Sequence, residues 1–307
     1  MISPQLDNIV KAVEPCYVTP DEQALLYKGD CLELLDRLPR GCAQLIFADP
    51  PYFLSNGGIT CQSGTMVSVN KGEWDRLPEG FADTHEFNRA WIRACRGVLA
   101  ETGTLWVSGT LHNIYSIGMA LQQEGFALIN NITWEKSNPP PNLACRCFTH
   151  STETVLWARK QEQHRYTFNY QLMKELNGGK QQKDVWRGPL TPPSEKSFGR
   201  HPTQKPLYLL ETIIKASSNP QDVVLDPFSG SSTTGVAALK LGRQFVGIEG
   251  NELFIGLSRS RLRTASISAT HSGVQSDNEA APAAPKKRRG RPRRTYEGTV
   301  DLFASLS

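Results

Sequence analysis

The chain has 307 residues, of which 39% are hydrophobic and 21% are charged. This length and balance fit a globular protein with one large or two modest domains. No apolar run approaches the roughly 20 residues that span a bilayer, and the N-terminus lacks the layout of a signal peptide, so we expect a cytoplasmic protein without a membrane partner. Seven scattered cysteines without a CxxC pair predict neither disulfides nor a metal site.

The net charge of +4 is unevenly distributed. Residues 286–294, KKRRGRPRR, carry seven basic side chains and no acid, so the rest of the chain sums to +4 − 7 = −3. A body with that charge does not attract nucleic acid through its overall field. Contacts with DNA are therefore expected from local basic patches or from this tail.

Apolar patterns alternate between strand and helix along the chain. The predicted strands are residues 24–27, 44–48, 103–107, 129–134, 154–158, 222–226 and 244–248. The predicted helices are residues 32–38, 86–99, 113–123, 206–217 and 235–241. Such alternation predicts an α/β fold with a mostly parallel sheet and helices on both faces.

Two regions fall outside this alternation. Residues 160–200 are polar and are predicted to be irregular. From about residue 264 the composition changes to small and polar residues that cannot build a core, which predicts a flexible linker. We therefore expect a folded domain over residues 1–263 and a disordered, basic C-terminal segment over residues 264–307.

The segment FADPPYF, residues 47–53, ends a predicted strand with a carboxylate, two prolines and an aromatic ring. Asp49 lies at the carboxyl end of this strand, where open α/β sheets bind their ligands. Pro50 and Pro51 fix the backbone and lack N–H donors. The chain is therefore expected to be stiff here, with carbonyl groups left to bind another molecule.

A second loop, LDPFSGSSTTG at residues 225–235, joins a predicted strand to a helix through a glycine-bearing turn. Backbone amides at such a turn favour an anionic group. Glu249 follows the next strand, where an acid hydrogen-bonds ribose hydroxyls in Rossmann-like sheets. The loop is not GxGxxG and comes late in the chain, which favours a nucleoside cofactor other than a nicotinamide dinucleotide. The alternative is a tight turn that binds nothing.

Together, ADPPY, DPFSGSSTTG and HPTQKP at residues 201–206 resemble the beta subgroup of S-adenosylmethionine-dependent amino-group DNA methyltransferases. The likeness covers about residues 24–262. Runs such as ADPPYFLSNGGI and NITWEKSNPPPNL are most similar to adenine methyltransferases of the DpnII type, and somewhat less to the HinfI and cell-cycle-regulated types. The resemblance implies a circularly permuted Rossmann-like methyltransferase fold, in which residues 24–30 supply the third strand and residues 44–48 the fourth.

The resemblance also implies S-adenosylmethionine as the cofactor and assigns residues to it. Asp30 would meet the adenine of the cofactor, and Cys31 would supply a backbone amide beside it. The implied cofactor-binding residues are Asp30, Cys31, Asp49, His201, Thr203, Lys205, Asp226, Phe228, Ser229, Gly230, Ser231, Thr233 and Glu249. Ser232 departs from the family, whose members commonly have glycine at this position.

The tetrad of Asp49, Pro50, Pro51 and Tyr52 suits the chemistry of a nucleobase amine, whose lone pair is delocalised into the ring. A carboxylate on Asp49 and a carbonyl on Pro50 that accept its two protons would direct that lone pair toward a methyl donor. Tyr52 is expected to stack on the base, which must be flipped out or single-stranded to reach the site. An aspartate in the first position favours N6 of adenine, and N4 of cytosine is the alternative. No metal is required.

Recognition of DNA is expected from an inserted target-recognition region at residues 138–200, which mixes basic and aromatic side chains. The candidates for DNA contact are Phe53, Trp134, Arg146, Arg289, Arg291 and Arg293. Core packing is the alternative for Trp134. The three tail arginines resemble an AT-hook that enters a narrow minor groove, and an unspecific polybasic tail is the alternative. The DpnII-type resemblance makes GATC the expected site, followed by GANTC.

Family membership further implies a cognate restriction endonuclease and a homodimer as partners. Two other functions remain open at this point. One is a DNA-binding protein that keeps the fold without catalysis, and the other is methylation of RNA or of a protein amide, which related tetrads perform. Incubation with labelled S-adenosylmethionine and each type of substrate separates them.

Overall fold

The computed structural model describes residues 2–53, 59–62, 65–68, 75, 79–142, 145–162 and 164–272. Arg289, Arg291 and Arg293 lie outside the described residues, as does the predicted basic tail. Within the described residues, no helix is both long and apolar enough to cross a membrane.

Strands and helices follow one another in the predicted alternation. The strands are β1 (Tyr17–Val18), β2 (Ala24–Lys28), β3 (Ala43–Ala48), β4 (Ile59–Gln62), β5 (Thr65–Ser68), β6 (Leu99–Gly109), β7 (Phe126–Lys136), β8 (Thr152–Lys160), β9 (Val185–Gly188), β10 (Val223–Asp226) and β11 (Gln244–Glu249). The helices are α1 (Pro4–Ala12), α2 (Cys31–Arg37), α3 (Thr84–Val98), α4 (Ile114–Gln123), α5 (Tyr170–Leu176), α6 (Leu207–Ser217), α7 (Thr233–Lys240) and α8 (Glu252–Ser272).

The main sheet has the strand order β1-β2-β11-β10-β3-β6-β8-β7-β9. Its five consecutive strands β2, β11, β10, β3 and β6 are parallel, and β8 runs antiparallel to β6 and β7. The two strands that lie between β2 and β3 in this parallel block, β11 and β10, are the last in the chain. The predicted circular permutation is therefore confirmed, with β2 third and β3 fourth in the order of the methyltransferase sheet.

Each face of the sheet is covered by helices because the central strands are apolar on both sides. Along β3, Ile46 and Ala48 pack with one hydrophobic cluster, while Leu45 and Phe47 pack with the other. The first cluster contains side chains of α1 to α4 and the second contains side chains of α6, α7 and α8. This alternation at a period of two residues is that of a strand buried on both faces.

The prediction that residues 160–200 are irregular is wrong in two places. Helix α5 inserts Met173 into the interior, and the side chain of Asn169 donates to the carbonyls of Lys215 and Ser218 at the end of α6. Strand β9 adds to the sheet by pairing with β7. Both elements are short and have few buried side chains, so their sequences show little hydrophobic periodicity. They are held in place by contacts with segments that are distant in the sequence.

Helix α8 continues through the position at which the linker was predicted to begin. It runs to Ser272, and both Ala265 and Ser266 are buried in it. The composition of small and polar residues therefore misled the prediction of a boundary at residue 264, because such residues also occur on the partly buried face of a helix.

Candidate active site

The carboxyl ends of neighbouring parallel strands converge on one cavity. Asp49 follows β3, Asp226 ends β10 and Glu249 ends β11, while Gly29 and Asp30 follow β2. The cavity has a volume of about 520 Å³ and lies where the sheet order reverses between β10 and β3. Ligands of open α/β sheets bind at such a switch point.

Every residue predicted to bind the cofactor lines this cavity, so the structure brings the whole predicted set together. It also adds residues that the sequence did not single out. The additional lining residues include Phe47, Phe87, Gln204, Asn251 and Phe254. Gln204 and Asn251 lie within one or two residues of predicted positions. The sequence therefore identified the loops that contain them, although it did not identify these two residues.

Asp49 is held by three hydrogen-bond donors. Its Oδ1 atom accepts from the Tyr52 hydroxyl at 2.6 Å and from the Ser108 hydroxyl, and its Oδ2 atom accepts from Lys205 Nζ at 2.6 Å. Lys205 Nζ also donates to the Tyr52 hydroxyl at 2.7 Å. Lys205 was predicted only as a cofactor residue, and Ser108 was not predicted at all because a serine in a strand carries no motif.

These contacts set the protonation of the two neighbours of Asp49. Burial, followed by the nearby carboxylate of Asp49, raises the pKa of Tyr52 well above its usual range. For Lys205, burial alone would lower the pKa, but the charges of Asp49, Tyr52 and Glu153 outweigh it and raise the pKa well above its usual range. A neutral phenol and an ammonium ion therefore flank the Asp49 carboxylate at neutral pH.

The backbone of the tetrad is fixed from two sides. The Asp75 carboxylate accepts from the amides of Tyr52 and Phe53 at 3.0 and 2.8 Å, and it holds Phe53 in the left-handed region with φ of 55°. The side chain of Asn113 donates to the Pro51 carbonyl at 3.3 Å. The part of the chain that the structure describes forms no hydrogen bond to the Pro50 carbonyl. That oxygen can therefore accept from a donor outside the described residues, whereas the Pro51 carbonyl, which was also predicted to be left unbonded, is engaged by Asn113.

The glycine and serine loop is shaped by two acids, Asp226 at its start and Glu249 at the end of the neighbouring strand β11. Asp226 accepts from the Phe228 amide at 3.0 Å and from the Thr234 hydroxyl at 2.6 Å, and Glu249 accepts from the amides of Gly230 and Asn251, both at 2.7 Å. Burial raises the pKa of Glu249, although the amide donors oppose this effect. The loop amides are thus fixed by side chains that also face the cavity.

Two residues of this loop have a left-handed backbone. Gly230 has φ of 53°, and a Cβ atom at this position would lie 3.0 Å from the His201 ring, so the HPTQKP segment packs directly on the loop. Ser232 has φ of 55°, in the left-handed region that favours glycine, which is the residue that the resemblance led us to expect at this position. Its hydroxyl is buried and lies 2.8 Å from that of Ser229, so this chain ties the loop internally at that point.

Asp226 is expected to make the stability of the protein fall as pH rises from about 4 to 7. Burial, opposed by its two donors, raises the pKa of Asp226 from 3.8 to about 7. Between these values the native state holds a proton that the unfolded chain has released, so the stabilisation present below pH 4 is lost as pH rises through 7. Asp226→Asn should remove this dependence and stabilise the protein at pH 8 by on the order of 1–3 kcal/mol.

Urea unfolding of both proteins at pH 5 and pH 8 measures this effect. If the difference in unfolding free energy between Asp226→Asn and the unsubstituted protein is the same at the two pH values, Asp226 does not titrate in this range.

The predicted DNA contacts have different surroundings. Trp134 is only 2% exposed, and its indole N–H donates to the Tyr208 hydroxyl at 2.7 Å. It is a core residue, so its prediction as a DNA contact is wrong. Arg146 is exposed. Phe53 is half-buried and packs edge-on against Phe87, with ring centroids 5.8 Å apart.

Tyr52 was predicted to stack on the target base. Its ring is 6% exposed and does not line the cavity. Its hydroxyl is engaged with Asp49 and Lys205. Stacking on this ring therefore stays a prediction that requires the ring to become accessible.

Helix α8 supplies a buried cation behind the loop. Arg261 Nη1 donates to the Ser231 carbonyl at 2.6 Å and to the Ser231 and Thr233 hydroxyls at 2.8 and 2.9 Å. Burial lowers the pKa of Arg261 to about 10, which leaves it charged at neutral pH. Sequence analysis did not predict this role, because an arginine that belongs to no motif is usually a solvated side chain. Among the described residues, no three His, Cys, Asp or Glu side chains are grouped so as to hold a metal ion.

Comparison with known proteins matches most of the chain to one family. The family model described as DNA methylase, N6_N4_Mtase, matches residues 43–259. The chain is 57% identical to the Type II methyltransferase M2.LlaDCHI of Lactococcus lactis subsp. cremoris over 242 residues, covering 78% of this chain and 90% of that protein. It is 57% identical to the Type II methyltransferase M2.DpnII of Streptococcus pneumoniae over 239 residues, covering 78% of this chain and 89% of that protein.

Solved structures agree with this result. The crystal structure of the M1.HpyAVI–SAM complex matches with a TM-score of 0.58 and 27% identity, over 78% of this chain and 98% of that one. The PvuII DNA methyltransferase, described as cytosine-N4-specific, matches with a TM-score of 0.62 over 85% of this chain and 96% of that one. Because the sequence identity of the second match is only 18%, it supports a common fold and nothing more.

Proposed function

Because this chain belongs to the N6_N4_Mtase family of DNA methylases, we propose that it transfers a methyl group from S-adenosylmethionine to N6 of adenine in GATC. One observation carries the proposal. Asp49 lies at the rim of the cofactor cavity with its carboxylate fixed by three donors, beside the Pro50 carbonyl. Two rigid acceptors next to a cofactor cavity are what a nucleobase amine with two protons requires.

The cavity fits S-adenosylmethionine in size and charge. Its volume of about 520 Å³ is typical of a cofactor site, and the acids Asp30, Asp226 and Glu249 line it together with Asp49. Carboxylates suit the ammonium, sulfonium and ribose hydroxyl groups of this cofactor. The close approach of Gly230 to the His201 ring leaves no room for a side chain on the loop that borders the cofactor. When bound, the cofactor supplies an electrophilic methyl group.

The residues of this chain then do three things to the target base. Asp49 and the Pro50 carbonyl accept hydrogen bonds from the two N–H groups of the amine and so direct its lone pair toward the cofactor cavity. Tyr52 and Lys205 hold Asp49 in place, so that little reorganisation is needed when charge develops on the nitrogen. A base within a duplex cannot reach this corner, so we propose that it is rotated out of the stack at a cost of a few kcal/mol.

The test uses the intact protein, labelled S-adenosylmethionine and duplexes that contain a single GATC, a single GANTC or neither. Digestion to nucleosides identifies the methylated base. We expect N6-methyladenine in the GATC duplex alone. N4-methylcytosine would contradict the choice of base, and methylation of the GANTC duplex would contradict the choice of site.

Arg261→Met is expected to weaken the binding of S-adenosylmethionine about tenfold, because three hydrogen bonds that shape the loop are lost. Calorimetric titration measures the change. Arg263→Met is the matched control, since Arg263 is exposed on the same helix, and it should leave the affinity unchanged. A folded Arg261→Met protein with undiminished affinity would remove Arg261 from the support of the cofactor site.

We further propose that the basic segment 286–294 acts as a minor-groove arm. Deleting it should weaken DNA binding and reduce the slope of log affinity against log salt by several units, without changing the methylated sequence. Replacing Arg289, Arg291 and Arg293 by lysine keeps the charge and serves as the matched control. A minor-groove arm loses its preference for A·T-rich DNA in this variant, whereas an unspecific polybasic tail binds as before. Unchanged binding after the deletion would contradict any role in DNA contact.

The proposal includes two protein partners and a cellular location. A cognate restriction endonuclease is supported by the names of the relatives, which are Type II methyltransferases. A homodimer is supported by analogy with the beta subgroup. The relatives named above come from bacteria, whose DNA lies in the cytoplasm, and we place the action of this enzyme there.

A further inference from the structure

Four charged side chains form a row that leads away from the active site. Lys205 lies between two carboxylates, 2.6 Å from Asp49 Oδ2 and 3.5 Å from Glu153 Oε2. Glu153 Oε1 in turn lies 2.7 Å from Lys136 Nζ. All four side chains are largely buried, with between 6% and 14% of their surface exposed. The charges alternate along the row, so it is neutral as a whole.

The outer half of the row belongs to the two strands that flank part of the predicted target-recognition region. Glu153 is the second residue of β8 and pairs in register with Trp134 of β7, and Lys136 ends β7. The Lys136 amide donates to the Ser151 carbonyl at 2.7 Å, which closes the base of residues 137–151. The row therefore connects the catalytic carboxylate to the strand ends that carry this region.

The hydrogen bonds that Asp49 forms within the described part of the chain leave one of its acceptor positions open. A carboxylate offers about four positions, two on each oxygen. Tyr52 and Ser108 occupy those on Oδ1, and Lys205 occupies one on Oδ2. The remaining position on Oδ2 is the one at which a target amine can donate.

The position of Lys205 decides whether the second acceptor position on Asp49 Oδ2 stays open. An ammonium group has three N–H donors. Two are directed to Asp49 and the Tyr52 hydroxyl, and the nearest acceptor for the third is Glu153 Oε2. Within the described residues, this buried oxygen accepts no hydrogen bond, so its contact with Lys205 Nζ at 3.5 Å is an ion pair.

We propose that Glu153 is a positioning residue for methyl transfer: its negative charge, 3.5 Å from Lys205 Nζ, holds the ammonium group where it occupies only one Oδ2 position of Asp49 and leaves the other open for the amine. The inference rests on the proposed function, because it assumes that Asp49 accepts a proton of the target amine. The competing explanation is that Glu153 only neutralises Lys136 in the protein interior. The two explanations differ in what happens when both outer charges are removed together.

The experiment compares Glu153→Gln with the double variant Lys136→Met/Glu153→Gln. Single-turnover rates of methyl transfer are measured at saturating cofactor and DNA. The dissociation constants of both ligands and the melting temperature of each variant are measured as well. A positioning role predicts that both variants transfer the methyl group at least about tenfold more slowly, with dissociation constants within about twofold of the unsubstituted enzyme. A split of this kind between rate and binding is not produced by loss of stability.

The matched control is Glu135→Gln, which removes a carboxylate from the neighbouring position of β7, where it pairs with Arg187 at 3.4 Å on the surface. It should keep the full rate.

The proposal is overturned if Glu153→Gln keeps the full rate, or if the double variant recovers it, since Glu153 would then serve only Lys136. Should Glu153→Gln fail to fold, the double variant, which leaves no unpaired Lys136, decides between the same two results. The unsubstituted enzyme separately tests the proposed function: if it methylates another amine, the adenine assignment fails while the comparison of variants still holds.

Discussion

Replacement of Asp49 by alanine is expected to slow methyl transfer by about three orders of magnitude, which is the scale of losing a fixed acceptor for charge that develops in the transition state. The cofactor should still bind, because the acids Asp226 and Glu249 and the loop between their strands remain in place. Single-turnover transfer of label and calorimetric binding of S-adenosylmethionine measure the two properties separately.

Asp36→Ala is a suitable control for this substitution, because Asp36 is exposed on α2 and makes none of the contacts at the cavity. It should keep the full rate. Turnover by Asp49→Ala at more than about a tenth of the normal rate would remove Asp49 from the mechanism.

Lys205→Met is expected to damage both stability and activity. Without the ammonium group, the carboxylates of Asp49 and Glu153 face the same buried space with no cation between them. Breaking a buried ion pair by removing one partner costs about 3–5 kcal/mol. Because Lys205 also holds the Tyr52 hydroxyl, we expect the rate of the remaining folded protein to fall about a hundredfold.

Denaturant unfolding and single-turnover kinetics measure the two effects. Lys11→Met is the matched control, since Lys11 pairs with Asp7 at 2.6 Å on an exposed helix. A surface pair of this kind is worth less than about 1 kcal/mol, so its loss should change little. Equal costs for the two substitutions would mean that the Lys205 pair is no more important than a solvated one.

The sequence predicted the parts of the molecule that repeat a strong local pattern. Strands such as 44–48 and 222–226 are short, apolar and followed by residues that break a strand, and both form at the centre of the sheet. The order of the strands came from the resemblance and not from periodicity. The tetrad and the glycine loop were found because their residue types are unusual at the ends of strands.

The residues that the sequence missed act through contacts between distant segments. Ser108, Glu153 and Arg261 have ordinary residue types and no motif, and each acquires its role from a partner far away in the chain. Trp134 shows the opposite error, since an aromatic residue near a predicted recognition region turned out to fill the core. Burial and ion pairing depend on the packed structure, and a local pattern does not contain them.

We propose that one rigid corner, made by Asp49 and the Pro50 carbonyl, accepts hydrogen bonds from both N–H groups of an adenine amine beside the cofactor. A crystal structure of the enzyme with a non-reactive cofactor analogue and a GATC duplex tests it most directly. The account predicts a flipped adenine whose N6 atom lies about 3 Å from both Asp49 Oδ2 and the Pro50 oxygen. An amine bound by other groups, with the Asp49 carboxylate turned away from the base, would contradict it.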